Sequence, residues 1–280
     1  MAVVVVTDSA ANVPAELVSE LGIVVVPLHV LVDDRAIDEG VDDIEIDYGS
    51  SAVTTSSASP GELRRAYTRA LARSGGDGVV AVHISRQLSA TWEAGRQAVA
   101  DMDAGDRVRL VDSLSAGLGT GLPVLAAARQ ARSGAALEVV YQTAVAAAGR
   151  ASTFIVVNRT EQLRRGGRLS TAAMFFGTEL VTKPILQIVD GKLELREKAR
   201  TRSKAYAKLV AAAVEAAGEQ GAAIAVQHLG AASAASSIAG QLDERIPGVR
   251  ELVTAEFGPT LGVHVGTGAV GVLVVPGGCG

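Results

Sequence analysis

Val79-Val80-Ala81-Val82-His83-Ile84, the loop Ser85-Arg86-Gln87-Leu88-Ser89, a helical run from Ala90 to about Met102, and Val108-Arg109-Leu110-Val111 together decide the fold class. The first segment is a short apolar run bounded by the turn signal Gly75-Gly76-Asp77-Gly78, which reads as a strand. A polar loop, a helix and a second apolar strand follow. Two parallel strands need such a crossover, so the order strand, loop, helix, strand predicts an α/β domain with a mainly parallel sheet.

Working outward, the same unit recurs. Ala2 to Val6 is a β-branched run ending in Thr7-Asp8-Ser9, and Val13-Pro14 opens an amphipathic helix. Ile23 to Val32 is strand-like, Asp33-Asp34 reads as a turn, and Asp42 to Tyr48 as an acidic surface loop. Ser59-Pro60-Gly61-Glu62 is a capping-box pattern with proline in the first helical position, which predicts a helix to about Arg73. A Gly-bearing segment follows Asp112-Ser113, and the composition changes near Gly149-Arg150. Residues 1–150 and 151–280 are therefore read as two domains. In the second, Thr153 to Val157 is a strand and Leu169 to Thr182 an apolar helix that Lys183-Pro184 ends. Ile185 to Val189 and Lys192 to Lys198 flank Asp190-Gly191, a strong hairpin signal. Thr201 to Ala217 reads as a helix; Ala222 to Gln227 and Val270 to Val275 read as strands.

Composition narrows the function. The chain has 280 residues, 48% of them hydrophobic but only 3% aromatic, so its cores are built from Ala, Val, Leu and Ile. The net charge of -4 argues against a nucleic-acid partner and against a basic membrane-surface role. The one cysteine, Cys279, excludes a disulfide framework. No apolar run is long enough to span a bilayer, and no signal peptide is evident, so a cytoplasmic protein without membrane insertion is expected. No zinc spacing, Walker A lysine or G-x-S-x-G elbow is present, and Gly117 to Leu122 departs from the dinucleotide fingerprint.

Open α/β sheets bind ligands at the carboxyl ends of their strands. Four loops rich in hydroxyls or glycine fall there: Thr7 to Ser9, Thr54 to Ser59, Ser85 to Thr91 and Asp112 to Gly119. At Ser89 two roles are open, a helix cap or an anion donor beside free helix-start N–H groups. Thr55 and Ser56 carry the same ambiguity. His264, between Gly258 and Gly268, reads as a residue of a tight irregular segment, able to donate to a carboxylate or to rest on a backbone partner. His29, His83 and His228 are read as structural. Arg164, Arg165 and Arg168 form one basic turn, and Arg200 with Arg202 a second cluster; each suits solvent or an anion. The Asp8-Ser9 and Asp112-Ser113 loops leave a rival reading open, a hydrolase- or phosphatase-like α/β enzyme acting on a small acyl or phosphorylated substrate.

Taken in order, Thr7-Asp8-Ser9, Thr55-Ser56, Leu88-Ser89-Ala90-Thr91, Asp112-Ser113, Arg165-Gly166-Gly167-Arg168, Lys183-Pro184-Ile185-Leu186, Arg200-Thr201-Arg202 and Gly258 to Gly268 with His264 resemble the DegV family. Within it they resemble the fatty-acid-binding subunits (FakB type) of the bacterial fatty acid kinase. That resemblance implies a two-domain α/β fold, the first sheet mainly parallel and the second mixed. It implies a long-chain fatty acid as ligand, no cofactor, no metal and no catalytic residue in this chain. The acyl carboxylate would meet Thr55, Ser56, Ser89 and His264, with Arg168 close by. The acyl chain would run through the second domain past Leu169, Met174, Phe175, Phe176, Ile185, Leu186 and Ile188. Arg200 and Arg202 would face the ATP-binding kinase subunit, which phosphorylates the bound acid. The chain departs from the family pattern at Ser57, Ala58, Val265 and Thr267. It departs also at Ala90, where glycine is common and where a side chain resists positive φ.

Overall fold

The computed structural model describes residues 2–33, 35–42, 45–50, 52–158, 160–169 and 182–279. The chain opens with β1 (Val4–Asp8), α1 (Ala15–Leu21) and β2 (Val24–Val26). The expected strand Ile23 to Val32 is two strands. Pro27 has no N–H to give a ladder, and it separates β2 from β3 (His29–Val32). β3 pairs antiparallel with β4 (Arg35–Asp38) and β5 (Val53–Ser56) in a small separate sheet, ordered β4-β3-β5.

The main first sheet adds β6 (Val79–His83) and β7 (Val108–Asp112) and runs β2-β1-β6-β7, all parallel as predicted. All five residues of β1 and of β6 are buried, which is what helices on both faces require of a parallel sheet. Between them lies α2 (Pro60–Ser74). Its capping box is formed: the Ser59 hydroxyl oxygen accepts the Glu62 N–H at 3.3 Å, and the Glu62 carboxylate accepts the Ser59 N–H at 2.7 Å. The crossover helix after β6 is α3 (Thr91–Ala100).

The Gly-bearing segment after Ser113 leads into two helices that the sequence reading left unassigned, α4 (Leu118–Arg132) and α5 (Leu137–Arg150). Twelve of the fifteen residues of α4 are buried. This helix fills the space between the sheets: Leu118, Leu122 and Leu125 share one core with Val3, Val5 and Val80 of the first half and with Ala223, Ala225 and Leu273 of the second. A helix apolar on every side has no 3.6-residue stripe to read.

The second sheet contains β8 (Ser152–Val156), β9 (Lys183–Val189), β10 (Lys192–Ala199), β11 (Ala222–His228), β12 (Val249–Glu256) and β13 (Val270–Pro276). Its order is β10-β9-β8-β13-β11-β12. Among the described strands the β11–β12 pair is parallel and the other pairs are antiparallel, so the sheet is mixed, as expected. Asp190 and Gly191 both take positive φ (49° and 79°), the requirement of a two-residue type I′ hairpin turn. Among the described residues this half also holds helices α6 (Glu161–Arg165), α7 (Arg202–Ala217), α8 (Ala232–Arg245) and α9 (Pro259–Val265). α7 and α8 cover one face, burying Leu209, Ile238 and Leu242 against Ile224 and Val272. Of the expected helix from Leu169 to Thr182, residues 170–181, with Met174, Phe175 and Phe176, lie outside the described residues, and Leu169 instead forms an isolated bridge to Leu193.

Candidate functional site

A cavity of about 300 Å³ lies where the two halves meet, at the lower end of the size of small-ligand sites. The first half supplies Leu28, Thr55, Ser56, Ser57, Ile84, Leu88, Ser89, Ala90, Ala116 and Gly117. The second supplies Ile155, Leu163, Arg168, Ile188, Leu193, Phe257, Leu261, His264 and Val265, among others. The wall is thus mostly aliphatic. Its polar groups are hydroxyls, one imidazole and one guanidinium.

Two of the sequence candidates, 209 residues apart, are hydrogen-bonded: Thr55 Oγ1 stands 2.8 Å from His264 Nε2. The expectation that His264 sits on an irregular segment is corrected. Pro259 occupies the first turn of α9, and His264 lies in its last turn, before Gly266 with φ 72°. The glycines around it serve close approach. A Cβ at Gly166 would lie 2.6 Å from His264 Nδ1, and one at Gly262 would lie 2.5 Å from the Tyr48 ring. Tyr48 therefore does more than sit in a surface loop: it roofs α9.

Burial lowers the His264 pKa to about 4, with a further push from the Arg168 charge. At neutral pH the imidazole is uncharged and acts through hydrogen bonds. Arg168 donates from Nε to the Leu88 carbonyl at 3.1 Å and from Nη1 to the Gly166 carbonyl. Burial also draws its guanidinium below the ordinary value.

Ser89 is not the helix cap, a position that falls to Ala90; its Oγ accepts the Thr91 N–H at 3.3 Å in a local turn and lies 2.9 Å from Thr91 Oγ1, and Ser89 lines the cavity. Ala90 has φ -76°, so the residue in the usual glycine place needs no positive φ. Ser85 Oγ–H, at the start of the same loop, donates to the Gly191 carbonyl at 2.9 Å and ties this loop to the hairpin turn of the other half.

Of the proposed tunnel residues that are described, Ile188 lines the cavity. Leu169 and Leu186 are buried in the same hydrophobic cluster as the wall without lining the cavity. Ile185 is corrected: strand alternation sends it to the opposite face of the sheet, into the core beneath α7. Arg200 and Arg202 are exposed, and Arg202 Nη2 donates to Asn158 Oδ1 at 3.0 Å. Asp8, Ser9, Asp112 and Ser113, the features behind the enzyme reading, do not line the cavity. Asp8 is fully buried against His83, and Ser113 Oγ lies 2.8 Å from Thr120 Oγ1. Sequence reading missed Leu261, Phe257 and Leu193. Leu261, His264 and Val265 stand at i, i+3 and i+4, a helical stripe that was there to be read. Among the described residues no group of His, Cys, Asp or Glu suits a metal ion, and no helix is long and apolar enough to cross a membrane.

Fold and site define a class: a two-domain α/β protein with an apolar cavity between its parallel and mixed sheets, polar along one wall. The family model described as the uncharacterised DegV family matches residues 2–277, and the chain belongs to the DegV family. A DegV domain-containing protein of Mycobacterium tuberculosis is 45% identical over 274 residues, covering 98% of this chain and 97% of the relative. The crystal structure of a DegV family protein from Corynebacterium glutamicum superposes with TM-score 0.88 at 37% identity, covering 99% of this chain and 98% of that one. A DegV family protein from Thermus thermophilus, whose structure is described as showing fatty acid binding, superposes with TM-score 0.90 at 29% identity, covering 99% and 100%.

Proposed function

We propose that this protein binds a long-chain fatty acid, holding the carboxylate at Thr55, Ser56, Ser89, His264 and Arg168 and the acyl chain between its halves. The observation that carries the reading is the Thr55–His264 pair set in the wall of an otherwise aliphatic cavity. With the imidazole neutral, Nε2–H donates to Thr55 Oγ1 and leaves the Thr55 proton for a carboxylate oxygen. Arg168 supplies the opposite charge. The apolar wall, Ile188 among it, takes the methylenes. Each buried CH₂ is worth about 0.8 kcal/mol, so about 15 of them offer roughly 12 kcal/mol before ordering costs. That supports retention without a covalent bond. The Thermus relative's fatty acid supports the choice of ligand.

In this reading residues 1–150 carry the carboxylate loops and 151–280 most of the acyl channel, with Met174, Phe175 and Phe176 as further candidates for its wall. The chain does no chemistry itself. It presents the acid to a separate ATP-binding kinase subunit that forms the acyl phosphate, and the exposed Arg200 and Arg202 lie on the face that meets it.

Native mass spectrometry tests the ligand. Purified protein is expected to carry a long-chain fatty acid that denaturation releases, and His264→Ala, which removes the partner that aims the Thr55 hydroxyl at the carboxylate, should weaken re-uptake of added palmitic acid about tenfold. Protein that neither carries nor takes up any fatty acid would end the proposal.

A further inference from the structure

We infer that Glu39 is a positioning residue for the carboxylate end of the cavity, bracing α9 from its first turn so that His264, in its last, meets Thr55. The inference rests on the fatty-acid reading for its binding consequence only.

Glu39 follows β4 in the small sheet and is 6% exposed. Its backbone N–H donates to the Leu28 carbonyl at 2.9 Å, which fixes the place of the side chain. Oε2 accepts the Ser9 hydroxyl at 2.6 Å, and Oε1 accepts the Thr260 backbone N–H at 3.3 Å. That N–H belongs to the first turn of α9 and has no partner within the helix. Burial raises the Glu39 pKa, partly offset by its hydrogen bonds, so holding a carboxylate here costs free energy that a surface role would not require.

The same small sheet grips α9 at two further points. Val263 packs on Val30, Ile37 and Val53, and Thr55, on β5, meets His264. The three contacts are spread along one short helix: Glu39 at its start, the valine cluster at its middle, Thr55 at its end. Smooth aliphatic packing resists separation but permits sliding and rotation. The polar contact at the start therefore sets the register, and Thr260 and His264 are about 6 Å apart along the axis at 1.5 Å per residue. A slip of about 1 Å would break a hydrogen bond of ordinary length. Gly258 completes the brace, because a Cβ there would lie 2.1 Å from Glu39 Oε1 and 2.6 Å from Asn12 Nδ2.

The test measures binding of palmitic acid and of methyl palmitate to the wild type, Glu39→Ala, Glu39→Gln and Gly258→Ala, together with imidazole nitrogen NMR of His264 in the ligand-free proteins. Glu39→Ala and Gly258→Ala are expected to lose about tenfold in affinity for the acid, to keep affinity for the ester, and to shift the His264 Nε2 resonance. Glu39→Gln should behave as wild type, since its amide oxygen still accepts from Thr260 and its NH₂ reaches Ser9. Wild-type acid affinity and an unmoved His264 resonance in Gly258→Ala and Glu39→Ala would overturn the inference, as would a Gln variant no better than Ala. If Glu39→Ala fails to fold, Gly258→Ala and Glu39→Gln decide. If the wild type binds neither probe, the fatty-acid reading has failed, and the ligand-free His264 resonance alone decides the brace.

Discussion

Asp8→Ala is expected to lower the unfolding free energy by about 3–5 kcal/mol, although the residue touches no part of the cavity. Asp8, His83 and Tyr67 are each fully buried. Burial, with a smaller contribution from the Asp8 charge, raises the Tyr67 pKa, so its hydroxyl keeps its proton and donates to His83 Nε2 at 2.7 Å. That fixes the His83 proton on Nδ1, which donates to Asp8 Oδ2 at 2.9 Å, and the same oxygen accepts the Ile84 N–H at 3.0 Å. Removing the carboxylate strands two donors where no water reaches them, at about 1–3 kcal/mol each, and opens a small cavity as well. Tyr67→Phe removes one bond at the far end of the chain and should cost less, about 1–2 kcal/mol. Urea titrations of the three proteins check the order. A loss below about 1 kcal/mol for Asp8→Ala would show that the network is not the anchor of β1 and β6.

Acidification should cost roughly 3 kcal/mol of stability through His264 alone. Its pKa is about 4 in the folded protein against 6.5 ordinarily. Between those values the unfolded chain binds a proton that the folded chain refuses. This contribution is therefore intact above about pH 6.5, falls away as the pH drops, and levels off below about pH 4. Other groups titrate in the same window, and Glu39, whose pKa is raised, contributes with the opposite sign. The informative quantity is the difference between wild type and His264→Gln, which cannot titrate. Stability curves of the two that stay parallel from pH 7 to pH 4 would refute a buried neutral imidazole.

Much of the fold was legible because local chemistry and tertiary role agree. Asp190-Gly191 needs positive φ and has the residues that tolerate it. Ser59-Pro60-Gly61-Glu62 forms its box within four residues. The valine runs of β1 and β6 both read as strands, and that of β1 as a buried one; every residue of both is buried. What stayed hidden depends on partners distant in sequence. α4 is apolar all round because it serves two sheets at once. Pro27 divides a continuous apolar stretch between two sheets, and only the pairing of His29 to Val32 with Val53 to Ser56 shows where the second part goes. At the site, Thr55, Ser56, Ser89, Arg168 and His264 were named from their chemistry and family likeness, and all five line the cavity. Ile185 was misplaced because a run of apolar residues in a strand does not say which face each one takes. Glu39 went unnoticed because nothing in its neighbours foretells a bond to Thr260, 221 residues away.

The placement of α4 has a thermodynamic consequence. Its side chains complete the interior of both sheets, so neither half can lose its order while the other keeps a finished core. Heat or denaturant should therefore meet one cooperative block rather than two modules joined by a linker. Anything lodged at the seam would then raise the melting point of the entire chain.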